Sequence, residues 1–448
     1  MQSLHATALA GAVLLSLATG NAAAQSTPTA AAEPAADAPQ SSTELGQTPL
    51  GESFETEVDR RDRIREQRRQ AFEDTAFDVQ ARSYVLDRDT YDDSEVYAWA
   101  LGGSVGLKTG YFRDRFAIGL TGYTSQPIDA PDDKDGTLLL APGQEGYAVL
   151  GEAYVQVRLT DGMNINAGRK AFDTPYLNRN DSRMTPNTFE AIALQGIAGD
   201  KETGEWRFGA GYFDKIKERN SEDFVPMSED AGAPEGVERG VYTAGANYKA
   251  GAFSVGAIDY YSDDIINIFY TEANYKVALA DKREFRLAAQ FSDQQAVGNN
   301  LLTGADFSAD QIGLKAEYSA GPALLTAAYT TTGDGANMRN PWSGYPGYTS
   351  VQVEDFNRAG EDAWMLRAGY KFPKVPGLNV YALWVSGSSP DAPTAFARDE
   401  YDLNLQWTPE VGALKGLMIR FRYAHVEQDD GTELDDFRLM VYYDPPKL

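Results

Sequence analysis

From Thr75 to the C terminus this chain keeps a period of two. Apolar and polar residues alternate through segments of about ten residues, separated by turn residues. A β-strand sends successive side chains to opposite faces, so this pattern fixes a sheet with one apolar and one polar face. Tyr97, Trp99, Leu101, Val105 and Leu107 stand against Ala98, Ala100, Gly102, Ser104, Gly106 and Lys108. Trp364, Leu366, Ala368, Tyr370 and Phe372 stand against Arg367, Gly369 and Lys371. The alternation predicts eighteen strands: 75–87, 95–110, 114–126, 147–159, 162–170, 188–199, 204–217, 238–250, 252–263, 267–279, 283–293, 308–319, 321–332, 362–372, 376–387, 398–407, 415–427 and 432–443. One such segment is a weak signal; an even number at regular spacing is a stronger one.

A soluble β-sandwich also alternates, and two features exclude it. The connections alternate in length, long at 127–146, 171–187, 218–237, 294–307 and 333–361, and short at Thr160-Asp161, Ala250-Gly251, Ser319-Ala320-Gly321 and Pro373–Val375. Long loops at one rim and tight turns at the other mark an outer-membrane barrel. The polar face also carries Glu152, Arg158, Arg207, Lys215, Arg286, Lys315, Arg367, Arg420, Arg422 and Arg438. In a dry core each unpaired charge costs several kcal/mol, and on the lipid face an Arg or Lys at midplane costs about 2–4 kcal/mol. A water-filled lumen is where they are tolerated. The fold class is therefore all-β, a transmembrane antiparallel β-barrel of about 18 strands. Its even strand number leaves both ends of the barrel on the periplasmic side.

Composition bounds the rest. Residues 1–24 read as a secretory signal peptide. The apolar run Ala8–Ala18 is too short to span a bilayer, and Ala22-Ala23-Ala24 suits a cleavage site. Residues 25–50, rich in Ala, Pro, Ser and Thr, read as a disordered linker. Residues 51–74, with RRDRIREQRR at their centre, read as a charged periplasmic segment compatible with a helix. The barrel domain covers 75–448. The chain has no Cys, so no disulfide supports it. The net charge of -26 does not suit nucleic acid. The acids gather in predicted loops, at Asp129, Asp132, Asp133, Asp135, Glu222, Asp223, Glu229, Asp230, Asp263 and Asp264. These are either solvated loop residues or sites for divalent cations bridging to lipopolysaccharide phosphates. His425 is the only histidine after the signal and has no G-x-S-x-G nucleophile motif beside it, so the chain is read as no enzyme. No cofactor or metal is expected.

The loop 171–187 is the most distinctive stretch. GRKAFDTPYLNRNDSRMTPNTFEA, from Gly168, resembles the third-loop motif of the OprD-like outer-membrane porin family. FDKIKERNSEDF at 213–224, DFNRAGEDAW at 355–364, RFRYA at 420–424 and the terminal RLMVYYDPP also resemble that family, so the likeness spans the barrel and omits the linker and residues 52–74. It implies a monomeric or loosely trimeric eighteen-stranded channel. That channel would carry small water-soluble solutes, often bearing a carboxylate, past an eyelet of inward-folded loops and a row of basic residues.

The residues themselves offer a matching site. A third extracellular loop folded inward would set Asp173, Asn180, Asp181, Ser182 and Arg183 at a constriction. There, opposite charges across a narrow aqueous path would create a strong local field. The other reading of Asn180–Arg183 is a turn whose side chains satisfy its own backbone. Arg420 and Arg422 are two apart and share the lumenal face. Arg438 faces the same way on the next strand, and Arg82 joins them at barrel closure if its parity permits. Such guanidinium groups can pass a carboxylate from one to the next by bidentate hydrogen bonds. Arg286, Arg367, Arg158, Lys215 and Lys217 complete the expected lumen wall. Each has the alternative of a structural ion pair. The function expected is passive, selective diffusion of small solutes through an outer membrane rich in lipopolysaccharide. The alternative is a structural or adhesive barrel with a closed lumen.

Overall fold

The computed structural model describes residues 57–200, 203–388, 390 and 396–445. The expected signal peptide and linker lie outside the described residues. Eighteen long antiparallel strands form one closed sheet, from Ala76–Asp89 to Glu433–Tyr443, each paired with its neighbour in sequence. A two-residue stub, Val225–Pro226, adds a nineteenth pairing against Lys215 and Ile216. Closure joins the first strand to the last, with Arg82 opposite Tyr442 and Leu86 opposite Arg438. The charged N-terminal segment forms a helix, Glu57–Glu73, held by Gly110 N–H to Ala71 C=O at 2.9 Å.

The two faces separate as the alternation requires. Leu101, Val105, Ile118, Ile192, Leu314, Leu325, Leu366 and Leu403 are exposed on the outer face. Tyr84, Leu86, Ala98, Ala363, Met365 and Ala424, of the opposite parity, are buried. Hydrocarbon covers the first set in a membrane, so their exposure costs nothing there. The second set is covered by loops entering the barrel.

Four register shifts fall at Trp99/Ala100, Thr121/Gly122, Arg158/Thr160 and Glu190/Ala191. All lie on the flank that leads into the loop 171–187. Bulges bend a strand and increase its twist, so this flank is the one best able to turn inward. Gly103 serves the same flank. Its φ is 141°, and a Cβ there would come within 1.9 Å of Gln80 C=O. Two short-side connections are longer than the sequence suggested: 109–115, beside the N-terminal helix, and 408–416, which holds the one-turn helix Gly412–Leu414.

Candidate functional site

The loop 171–187 is built on a tight turn. Asp173 and Asn178 pair as an isolated bridge, and the Thr174 N–H and Oγ1 both donate to Leu177 C=O, at 2.9 and 2.8 Å. Pro175 supplies a preset φ inside this turn. The tip then reaches one wall. Tyr176 is fully buried, its hydroxyl 2.7 Å from Ser292 Oγ, and its ring is edge-on to Tyr260, Tyr270 and Tyr345. The following residues reach the wall at barrel closure. Arg82 donates to both Asp181 oxygens at 2.5 and 2.8 Å, and to the carbonyls of Arg183 and Met184. Tyr260 and Ser292 stand on strands roughly half-way round the sheet from Arg82, so the loop crosses the lumen. Buried hydrogen bonds from wall side chains satisfy its irregular backbone, as membrane depth demands.

A second loop, 333–361, meets it. Leu177 bridges Trp342, whose indole N–H donates to Met227 C=O at 2.8 Å. Asn178 Nδ2 donates to Ser343 Oγ at 2.9 Å. The far end of this loop is clamped to the closure side. The N–H groups of Val353 and Glu354 each donate to Glu400 at 2.8 Å. Gln352 Nε2 donates to Asp436 at 2.7 Å, and Arg398 pairs with both Glu354 and Glu361.

The expected constriction residues have distinct uses. Asp173 pairs with Arg179 at 2.7 Å on a half-exposed face, and Asp181 is bound to Arg82. Asn180 takes a positive φ of 36°, and its carboxamide accepts from Ser182 Oγ. Arg183 faces away from solvent, 6% exposed, with Nε on Thr137 C=O at 2.8 Å. Burial, and then the charges of Arg438, Arg219 and Arg88, hold its guanidinium well below the ordinary arginine range. Arg183 is thus a loop anchor rather than a solute contact.

The wall residues divide the same way. Lys217 was expected on the conducting face, but it has no exposure. Its Nζ donates to Thr185 Oγ1 and to the carbonyls of Glu218 and Ser221. Lys215 was expected there too, but the register shift at Glu190/Ala191 sets it opposite Glu190, which shares the outward parity of Ile192, so it faces outward at the strand end. Arg438 is 3% exposed and donates twice to Asp436, whose carboxylate also takes Arg88. Arg286 pairs with Glu317 at 3.2 Å and donates to Asn274. In contrast, Arg420 donates through Nε to Asn404 Oδ1 at 2.6 Å, and its Nη2 has no hydrogen-bond partner among the described residues. Nε of Arg422, Arg367 and Arg158 is likewise without one. Arg367 and Arg158 instead stack on Tyr381 and Tyr111, at 4.0 and 3.8 Å.

Sequence reasoning missed an acidic shelf above this wall. Glu400, Asp402 and Asp436 are all buried, and both oxygens of Asp402 lack a hydrogen-bond partner. Their lumenal parity was visible in the alternation; their convergence under the loop 333–361 was not. His425 lies on the outer face with Asp435 at 2.9 Å and Glu427 at 3.2 Å. It is therefore away from the lumen. Among the described residues no group of three metal-ligating side chains occurs.

The model of the outer membrane porin, OprD family, matches residues 70–446. Among solved structures, OccK9 (OpdG) of Pseudomonas aeruginosa superposes with a TM-score of 0.75 at 24% identity, covering 84% of this chain and 99% of that one. OpdK of the same organism, determined with vanillate, gives 0.74 at 21% identity, with coverages of 84% and 99%. OccAB1 of Acinetobacter baumannii gives 0.74 at 18% identity, with coverages of 84% and 97%. No curated protein matches the chain.

Proposed function

Since the chain belongs to the OprD family of outer-membrane porins, a channel for small solutes in a Gram-negative outer membrane, we propose that its solutes are carboxylates drawn along the wall of Arg420 and Arg422. One observation carries this reading. These two lumenal guanidinium groups keep N–H donors without protein partners, while those of Arg82, Arg286 and Arg438 are held by carboxylates. A buried cation with a free donor is costly, and an anionic solute relieves that cost as it passes. Vanillate, present in the OpdK structure, is itself an aromatic carboxylate.

The loops 171–187 and 333–361 narrow the path from opposite sides. Charge at a narrow, low-dielectric aperture acts more strongly than in bulk water, so a few residues suffice for selection. Around the outer extracellular rim, tyrosines donate to carboxylates in the pairs Tyr329–Asp362 and Tyr423–Asp435. This rim suits divalent-cation bridging to lipopolysaccharide phosphates. A monomer or a loose homotrimer fits the reading.

Planar-bilayer recording tests the channel. Small, anion-preferring steps are expected from purified, folded protein. A silent bilayer would favour the second reading, a structural barrel closed where Leu177 meets Trp342. The double variant Arg420→Ala, Arg422→Ala should lower flux of a carboxylate about tenfold, a loss of roughly 1.4 kcal/mol, and leave a neutral solute of equal size within twofold. Equal losses for both solutes would mean that the pair shapes the path without reading charge.

A further inference from the structure

Two buried carboxylates under the loop 333–361 face each other with no donor between them. Glu400 and Asp402 lie two apart on the strand Arg398–Trp407, so both point to the lumenal side. Glu400 has no exposure, and Asp402 is 4% exposed. The sheet on either side of them is apolar. Val385 and Val426 flank Glu400 in register, and Leu383 and Ala424 flank Asp402. Glu400 uses both oxygens on the loop, Oε1 accepting from the Val353 N–H and Oε2 from the Glu354 N–H. The Asp402 side chain lies within hydrogen-bond reach of Glu400, yet both its oxygens lack a partner. An ionised carboxylate only accepts, so two of them in contact set acceptor against acceptor.

We propose that Glu400 and Asp402 share one proton, and that the protonated pair is a latch holding the loop 333–361 across the lumen. Two like charges in contact in apolar surroundings do not both ionise. One proton between them turns the repulsion into a hydrogen bond and gives Asp402 a partner. That proton belongs to the pair rather than to either residue. The pair keeps one negative charge, and the groups around it suit that charge. Arg422 and Arg438, from the next two strands, act on Asp402. Arg438 is already met by Asp436, which also takes Arg88 of the first strand. On the loop side stand Glu354 and Glu361, both paired with Arg398 of the same strand as the latch. Tyr91 donates its hydroxyl to Glu354. As pH rises, the pair loses its proton to lumenal water and the two carboxylates repel. Glu400 is then pushed from the N–H groups of Val353 and Glu354. The latch is closed at low and neutral pH and released in alkali. It depends on the barrel being a channel and not on the charge of its solute.

Two measurements on the full-length protein test the latch. In planar bilayers, single-channel conductance should rise about twofold between about pH 6 and about pH 9, as the loop lifts. Asp402→Asn keeps the shape and sets a permanent amide donor against Glu400, so it should remove most of that rise. Glu400→Gln gives up one of the two loop bonds, and its conductance should be high at both pH values. Infrared spectroscopy reads the proton itself. At about pH 6, well above the range of an ordinary carboxyl group, the wild type should show a protonated-carboxyl C=O band that fades in alkali. The band should be weaker in Asp402→Asn and in Glu400→Gln, because the remaining carboxylate no longer faces a like charge. A wild-type rise in Asp402→Asn, a wild-type conductance indifferent to pH, or a band unchanged by both substitutions would overturn the latch. If Asp402→Asn does not fold, Glu400→Gln decides by its band and by its response to pH. A silent bilayer would count against the channel, and the infrared comparison would still decide whether the pair holds a proton.

Discussion

Arg438 stands directly opposite Arg422 where the last two strands pair, and Arg82 stands one strand further, at the seam that closes the barrel. All three are lumenal arginines on neighbouring strands. Arg82 spends its donors on Asp181, Gln80 and two loop carbonyls, and Arg438 on Asp436 and Gln352 C=O. Arg422 forms no ion pair among the described residues, although the Asp402 carboxylate feels its charge, and its Nε has no partner. Partner count, and not position on the wall, therefore separates an arginine that holds loops from one that keeps a donor without a protein partner. The seam arginines fix the ends of the two crossing loops, and that fixed framework sets the place of the free ones.

The largest effect should come from Arg82→Ala. Removing one member of a nearly buried pair leaves Asp181 uncompensated, at a cost of about 3 kcal/mol. Urea unfolding of the refolded barrel would report it, with a larger channel conductance as the loop loosens. Adding Asp181→Asn should restore part of the loss. A change below about 1 kcal/mol would erase the distinction between seam and wall. Arg438→Gln should cost less, about 2 kcal/mol, because Arg88 still holds Asp436 at 2.6 Å. Arg422→Gln should leave stability within about 1 kcal/mol, since no described carboxylate forms an ion pair with it, while weakening carboxylate uptake. A stability loss as large as that of Arg438→Gln would place Arg422 with the seam group. Asp173→Asn should have the smallest effect, under about 1 kcal/mol in the same unfolding assay, because its partner Arg179 is half-exposed.

Much of this architecture was legible in the chain. Every expected strand occurs, the widest disagreement at a start being 238 against the observed Val241. The reason is local: a half-lipid, half-water sheet imposes its period on each strand separately. Lumenal parity was equally local, so Arg420, Arg422, Arg367 and Arg286 fall on the face expected of them. Arg82, whose parity was open, faces the lumen too. The loop 171–187 was marked by its length and turn residues, yet the partners of its charges were not. Asp181 meets a residue 99 positions earlier. Lys217 has the alternation of a wall residue, but the loop carbonyls of Glu218 and Ser221 close over it.

By itself, then, the sequence determined a closed eighteen-stranded sheet and, away from the bulges, the side that strand residues face. Periodicity needs only neighbours along the strand. The tertiary structure alone decided which cations keep free donors. Closing the ring brings the last strand to the first and draws two loops across the interior. A hydrogen bond or ion pair at under 3 Å depends on that closure, which no spacing along the chain encodes.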